Sequence, residues 1–407
     1  MAKINPFKAV RYQALNSKAA ALVCPPYDVI SPKLEKKLRK LKENAVQIEL
    51  PSGSPKTKYQ NAEKIWGIWR KKGVVQQDKE AAFYIYEQLF NANGQRFSRK
   101  GFFCEVELEK PGEGSILRHE LTLSKPKEDR LNLLRSLRIN TSPVFGIFDD
   151  PQKKIGKIIS NLSKEKSELE FKDQENVIHK LWICKDQGLI KKIKSIAEAV
   201  PILIADGHHR CETAWNYFQE SKESGAKMVL FFLCPMNNPG LVIFPTHRIL
   251  AQKKLASYKD IISKAKTLNQ AFSVRESLSL LSLQKHFSQS PHFVVTNGKS
   301  SALVRMKSLE SIKKLLPGKS ESYLKLPLLH IHSLLLPELK KEDFIYSHQA
   351  KEAVSLAKKK KSVALLVPPS SIQELYQVVR SGELMPQKST YFYPKIITGL
   401  LFRTLQP

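Results

Sequence analysis

Asp206-Gly207-His208-His209-Arg210 is the segment whose residue types and spacing best suit chemistry. The apolar run Ile202-Leu203-Ile204-Ala205 predicts a strand that stops at Asp206, and Cys211-Glu212-Thr213-Ala214 continues into a predicted helix. A helix that starts here points its amide N–H groups and the positive end of its dipole outward, which is where anions bind. Gly207 lets a phosphate approach the backbone closely, while His208, His209 and Arg210 add three donors, the last one fork-shaped and permanently charged. The expected chemistry is the binding of phosphate or another small anion.

A second cluster runs from His119 to Leu131 and includes Glu120, Thr122, Ser124, Lys125, Lys127, Glu128, Asp129 and Arg130. Phosphoryl transfer uses this mixture: cations against the phosphate oxygens, and carboxylates for a metal ion or for the attacking hydroxyl. Three shorter segments add candidates. Pro25-Pro26-Tyr27-Asp28 stiffens the backbone just ahead of a carboxylate, Thr246-His247-Arg248 ends a strand with basic donors, and Met385 to Lys395 mixes aromatics with Lys388, Ser389 and Thr390. A Walker loop, a kinase glycine-rich loop, a Rossmann fingerprint, H-E-x-x-H and G-x-S-x-G are all missing from the sequence, which disfavours most familiar nucleotide-binding and hydrolase folds.

Elements must hold these segments. Ser31-Pro32 opens a helix with Leu34, Leu38 and Leu41 on one face, and 59–72 repeats the pattern with Ala62, Ile65, Trp66 and Trp69. Strands over 82–90 and 97–108 flank Asn93-Gly94, which is hairpin chemistry. From 177 to 234 strands and helices alternate, predicting an α/β layer with functional groups at strand-to-helix turns. One further strand is expected over 241–250, helices over 258–271, 278–287, 326–338 and 370–381, a hairpin at Asn297-Gly298 and a buried strand over 363–367.

Composition bounds the rest. With 407 residues, 42% of them apolar, the chain is long enough for two or three packed units and is not disordered. The formal charge of +29 invites a nucleic-acid, membrane-surface or phosphate reading, but only 15 of the 67 basic residues are Arg. Dispersed Lys is more typical of surface, so the stretches 33–42, 153–166 and 358–361 are expected to be solvated helix faces or loops. The five cysteines are far apart, so neither a zinc cage nor a disulfide framework is expected. A cytoplasmic, soluble protein with no membrane association is expected, because the longest apolar stretch, Met228 to Cys234, falls far short of the roughly 20 residues that span a bilayer. Oligomeric state is not legible.

In this order, Pro25-Pro26-Tyr27-Asp28-Val29-Ile30, Tyr84 to Gln88, His119-Glu120, Pro126 to Arg130, Ser142 to Gly146, Asp206 to Thr213, Pro245 to Arg248 and Met385 to Lys395 resemble a bacterial family catalogued as domain of unknown function number one thousand and fifteen. The Asp-Gly-His-His-Arg turn also resembles the phosphate-binding turn of the ParB and sulfiredoxin superfamily, which includes kinases of free L-serine. These resemblances imply a fold of the α+β or mixed α/β class. A family core with an N-terminal α+β part and a ParB-like α/β part would occupy 1–250, a covering α+β subdomain 251–361, and a segment over 362–407 would return to the core.

They also imply a phosphotransferase that moves a phosphoryl group from pyrophosphate or a nucleotide to L-serine, or dephosphorylates phosphoserine in reverse. Gly207, His208, His209 and Arg210 would hold the donor, with His209 also a catalytic candidate, and Lys125, Lys127, Arg130, His247 and Arg248 would bind phosphate. Asp28 or Asp206 would accept the serine proton, Glu120 or Asp129 would hold Mg²⁺, and Lys388, Ser389 and Thr390 would complete the site. Two other readings stay open: a ParB-like nucleotide-dependent regulator that binds DNA, and a ligand sensor without catalysis. No convincing helix-turn-helix with a basic second helix supports the first of these.

Overall fold

The computed structural model describes residues 1–120, 124–252, 255–276 and 291–405, without the side chains of 17 and 124–126. By its contacts the chain divides into a first unit, Met1–Arg118 with Thr122–Val242 and Pro394–Pro407, and a second unit, His119–Leu121 with Ile243–Tyr393. The expected break lay after 250 and the expected subdomain ended at 361. The observed division falls at Val242, and 362–393 stay with the second unit.

The first unit is built on a mixed sheet. Its strands are β1 (Ile4–Asn5), β2 (Phe83–Ala92), β3 (Gln95–Glu107), β4 (Ile116–Leu117), β5 (Val144–Phe148), β6 (Leu169–Lys172), β7 (Ile178–Cys184), β8 (Ile202–Asp206) and β9 (Met228–Pro235). They lie in the order β4-β8-β5-β9-β3-β2-β7-β6, with β1 paired to β3. The β2–β3 hairpin turns at Asn93 and Gly94, whose φ values of 50° and 78° suit the left-handed geometry that matches strand twist. Only β4 with β8 and β5 with β9 run parallel. The alternation of strand and helix from 177 to 234 therefore does not make a parallel layer, because β7, β8 and β9 are nowhere neighbours.

The helices that matter here are α1 (Pro32–Leu38), α2 (Val46–Glu49), α3 (Lys58–Lys71), α4 (Ser124–Leu137), α5 (Lys154–Leu162), α6 (Gln187–Ala197) and α7 (His208–Ser221). Ser31 caps α1 through Leu34 N at 3.3 Å. Side chains alternate across the sheet. One face presents Phe102, Cys104, Phe148, Ile202, Ile204 and Phe231 to Ile155 and Ile159 of α5, Ile190 and Ile193 of α6, and Cys211 and Ala214 of α7. Each fully buried Ile or Phe of this layer contributes about 1.5–3 kcal/mol, and Cys211 and Ala214 dock the start of α7 on it. A second aromatic cluster joins Tyr86, Phe103, Phe145 and Phe232, with Phe232 lying 5.3–5.5 Å from the other three rings.

The second unit holds an antiparallel sheet of β10 (His247–Leu250), β11 (Phe272–Glu276), β12 (His292–Thr296), β13 (Ser301–Met306), β14 (Phe344–Ser347) and β15 (Ala364–Leu366), ordered β11-β13-β12-β15-β10-β14. Its helices include α8 (Tyr258–Thr267), α9 (Ala350–Lys360) and α10 (Ile372–Arg380). The single strand expected over 241–250 is broken into Val242–Phe244 and β10, since Pro245 has no N–H to continue a ladder. The helix expected over 326–338 is Pro327–Leu329 followed by a wide turn over His330–Leu335, stopped ahead of Pro337. The expected helix over 278–287 lies outside the described residues. Lys358, Lys359 and Lys360 occupy the last turn of α9, where they complement the helix dipole, as a solvated helix end would. Among the described residues, no helix is long and apolar enough to cross a membrane.

Candidate functional site

Strand β8 delivers Asp206 to its turn through an irregularity. Against β5 the register slips between Ile204, opposite Gly146, and Asp206, opposite Phe145, so Ala205 is an extra residue that re-aims the carboxylate. Gly207 follows with φ 90°, a conformation that a side chain strains, and a Cβ there would meet the Arg210 guanidinium at 3.0 Å. Helix α7 starts at once, and its N-cap residue supplies no side-chain hydrogen bond. His208 is buried and His209 half-buried on this first turn.

Asp206 is held from two sides. Arg210 Nη2 donates to Oδ2 at 2.6 Å, and Lys395 Nζ donates to Oδ1. Burial alone would raise the Asp206 pKa, but Lys395 and then Arg210 hold it well below the ordinary carboxylate range. A carboxylate so reluctant to take a proton is a poor general base, which corrects the expectation that Asp206 accepts one. Arg210 also donates through Nη1 to the Pro143 carbonyl. Its guanidinium therefore braces the turn from within and does not reach outward for phosphate as expected.

Behind the turn lies a second network. Arg130 is buried, donates to the Glu49 carbonyl at 2.8 Å and to Asp129 Oδ2 at 2.5 Å, and lies 4.4 Å from the Tyr27 ring centre. Asp129 Oδ1 accepts from Lys58 at 2.5 Å and Tyr59 at 2.9 Å. Burial would raise the Asp129 pKa, yet Arg130 and then Lys58 hold it down to about 2. Both of its oxygens are thus taken by cations or a hydroxyl, and Asp129 does not fit a Mg²⁺ ligand. With its donors spent on Glu49 and Asp129, Arg130 is a structural cation and not the phosphate ligand expected. Glu49 is wholly buried and accepts from Thr141 Oγ1 at 2.5 Å. Lys127 pairs with Glu212 at 2.7 Å, and the Lys125 side chain lies outside the described residues. Asp28 sits in the short turn Tyr27–Val29, exposed, and takes part in no hydrogen bond or ion pair among the described residues.

The remaining candidates form a separate group in the second unit. Arg248 on β10 is fully buried, donates to the Thr246 carbonyl and to Gln387 O at 3.0 Å, and lies 5.5 Å from the Tyr346 ring centre. Burial pushes its pKa down to about 10, and it has no carboxylate in ion-pair range among the described residues. Lys388 Nζ approaches the same ring at 5.8 Å, while its backbone N donates to Glu120 Oε2 at 3.0 Å. His119 Nε2 lies 2.9 Å from Thr390 Oγ1, and Ser389 donates to the Pro386 carbonyl. His247 Nδ1 accepts from Val367 N at 3.2 Å, and burial, then Arg248, lower its pKa to about 4. With Nδ1 accepting from Val367 N, the proton of a neutral His247 ring is carried by Nε2.

Among the described residues no group of three or more His, Cys, Asp or Glu is arranged to hold a metal ion. Lys395 was missed as a site residue, although the Met385 to Lys395 segment had been singled out. Glu49 was missed outright, because an isolated Glu in Val46-Gln47-Ile48-Glu49 carries no motif.

A family model described as "Protein of unknown function (DUF1015)" matches residues 4–364. No curated protein matches the sequence. Among solved structures, a free serine kinase in complex with AMP is 16% identical at a TM-score of 0.37, covering 73% of this chain and 92% of that one. A C-terminally truncated SbnI from Staphylococcus aureus is 11% identical at 0.36, covering 72% and 85%. A conserved hypothetical protein from Pyrococcus furiosus is 15% identical at 0.36, covering 72% and 92%. At TM-scores below 0.5 these likenesses carry nothing further.

Proposed function

The chain belongs to the DUF1015 family, and from the anion-receptive turn at Gly207 we propose that it is a small-molecule phosphotransferase that binds the phosphates of pyrophosphate or a nucleotide at the start of α7. The observation that carries this reading is the strand-bulge-glycine-helix junction. Ala205 re-aims Asp206, Gly207 takes a φ of 90°, and the first turn of α7 has no side-chain cap from its own N-cap residue. Lys395 and Arg210 lock Asp206 and so fix the turn before any ligand arrives, which lowers the ordering cost of binding.

The acceptor is the hydroxyl of free L-serine, a reading that rests on the likeness of the Asp-Gly-His-His-Arg turn to that of the ParB and sulfiredoxin superfamily. His208 and His209 face the donor phosphates. Asp28, exposed and uncommitted, is the base that takes the serine proton. A magnesium ion, where used, would arrive with the donor phosphates, as is common for this cation. The test is incubation of the full chain with L-serine, Mg²⁺ and, separately, pyrophosphate, ATP, ADP and CTP, followed by mass spectrometry. O-phosphoserine with one donor is expected; no product with any of them refutes the proposal.

A further inference from the structure

The lysines of 153–166, expected to be plain solvated surface, line a groove of about 530 Å³ in the first unit. Lys153, Lys157, Ser160, Asn161 and Lys164 come from α5 and its flanks, and Lys100 comes from β3. Lys157 and Ser160 share one face of α5, while Lys153, at its N-cap, and Lys164, just past its C-cap, flank that face at the two ends. The opposite wall is the Pro235–Pro239 loop that ends β9. Strand β9 runs parallel to β5, with Pro235 beside Phe148, whereas Asp206 lies beside Phe145 at the other end of β5. The groove is therefore at the opposite end of the sheet from the Gly207 turn.

The loop wall is already in place. Asn237 Nδ2 donates to the Asp150 carbonyl at 2.5 Å, and Asn238 Oδ1 accepts from Gly240 N at 2.9 Å between two prolines. Lys100 Nζ donates to Ser163 Oγ at 3.0 Å and lies 3.6 Å from Glu87. Lys153, Lys157 and Lys164 have no carboxylate partner among the described residues. Three ammonium groups without carboxylate partners around one cavity repel one another, and an anion placed among them offsets that repulsion. The lining contains neither an acid, which would favour a metal cation, nor an aromatic ring, on which a base would stack.

We infer that this groove is a second anion site, for a small, extended, multiply phosphorylated anion, bound by Lys153, Lys157, Lys164 and Lys100. The volume falls within the range of about 300–1,000 Å³ typical of small-molecule sites. The inference does not depend on the phosphotransferase reading, since it uses none of the residues of the Gly207 turn.

The experiment is isothermal titration of the full chain with sodium tripolyphosphate at low and near-physiological salt. Wild type is expected to bind, and affinity should fall at least about tenfold in the variant Lys153→Gln with Lys157→Gln and Lys164→Gln. Affinity should be retained in a charge-matched variant with Lys358→Gln, Lys359→Gln and Lys360→Gln. Absence of binding by wild type overturns the inference. So does equal weakening by both triple variants, which would indicate net charge alone, or tighter binding of a single-stranded oligonucleotide, which would assign the groove to nucleic acid. The substituted lysines are on the surface, and an unchanged melting temperature verifies folding in each case.

Discussion

Replacement of Lys395 by Met would expose how the Gly207 turn is held. Asp206 and Lys395 are 17% and 11% exposed in their side chains, so the pair is largely shielded from solvent screening. Removing one partner of a buried ion pair costs about 3–5 kcal/mol when the other charge is left alone. Here Arg210 remains at 2.6 Å, so the expected loss is smaller, about 1.5–3 kcal/mol, the range for a hydrogen bond to a charged group. For a unit of this size that lowers the melting temperature by roughly 3–12 °C. The pH dependence has a definite sign. Asp206 is held well below the ordinary range in the folded protein, and an unfolded Asp titrates near about 3.9. Its paired, ionised form therefore stabilises fully above that value, and the contribution is lost as pH falls toward the folded value. The gap between wild type and Lys395→Met should be full near pH 7 and narrow below about pH 4. Urea denaturation across this range measures it, with Lys395→Arg as a charge-retaining control expected to recover most of the loss. A gap under about 0.5 kcal/mol near pH 7, or one that does not change with pH, would refute the reasoning.

Other expectations concern the same unit. Gly207→Ala places a Cβ 3.0 Å from the Arg210 guanidinium at a φ of 90°, so it should cost about 1–3 kcal/mol in denaturant melts and weaken donor binding in titrations. Asp28→Asn should lower turnover by about 10²–10⁴-fold with little change in KM for serine and in melting temperature, because the side chain is exposed and makes no hydrogen bond or ion pair among the described residues. The five cysteines are free and buried, and burial pushes the Cys211 and Cys234 thiols up to about 12. Iodoacetamide near pH 8 should leave the native protein unlabelled and modify all five after unfolding, as read by intact-mass spectrometry.

Much of the local structure was legible because its signals are local. Asn93-Gly94 marks a hairpin and Ser31-Pro32 a helix start, and each is present. The turn at Asp206 was legible for the same reason. Sheet order was not, since the partners of β8 and β9 depend on which strands from elsewhere in the chain they meet, and alternation along the sequence does not encode that. The roles of Arg210, Arg130 and Asp129 were misjudged for a related reason. Residue type shows that a guanidinium or carboxylate is available, but only packing shows that Pro143, Glu49 and Lys58 have already claimed it. Lys395 is the converse: 189 residues from Asp206 in sequence, it is brought to it by the C-terminal return of the chain.

Transfer of isotope from donor to acceptor tests the central claim most directly. With L-serine and pyrophosphate or a nucleotide labelled with ¹⁸O in its terminal phosphoryl group, the account predicts O-phosphoserine that carries the labelled phosphoryl oxygens, formed by wild type and strongly reduced in Asp28→Asn. Serine left unmodified with every labelled donor, while the protein is shown to be folded, would contradict it.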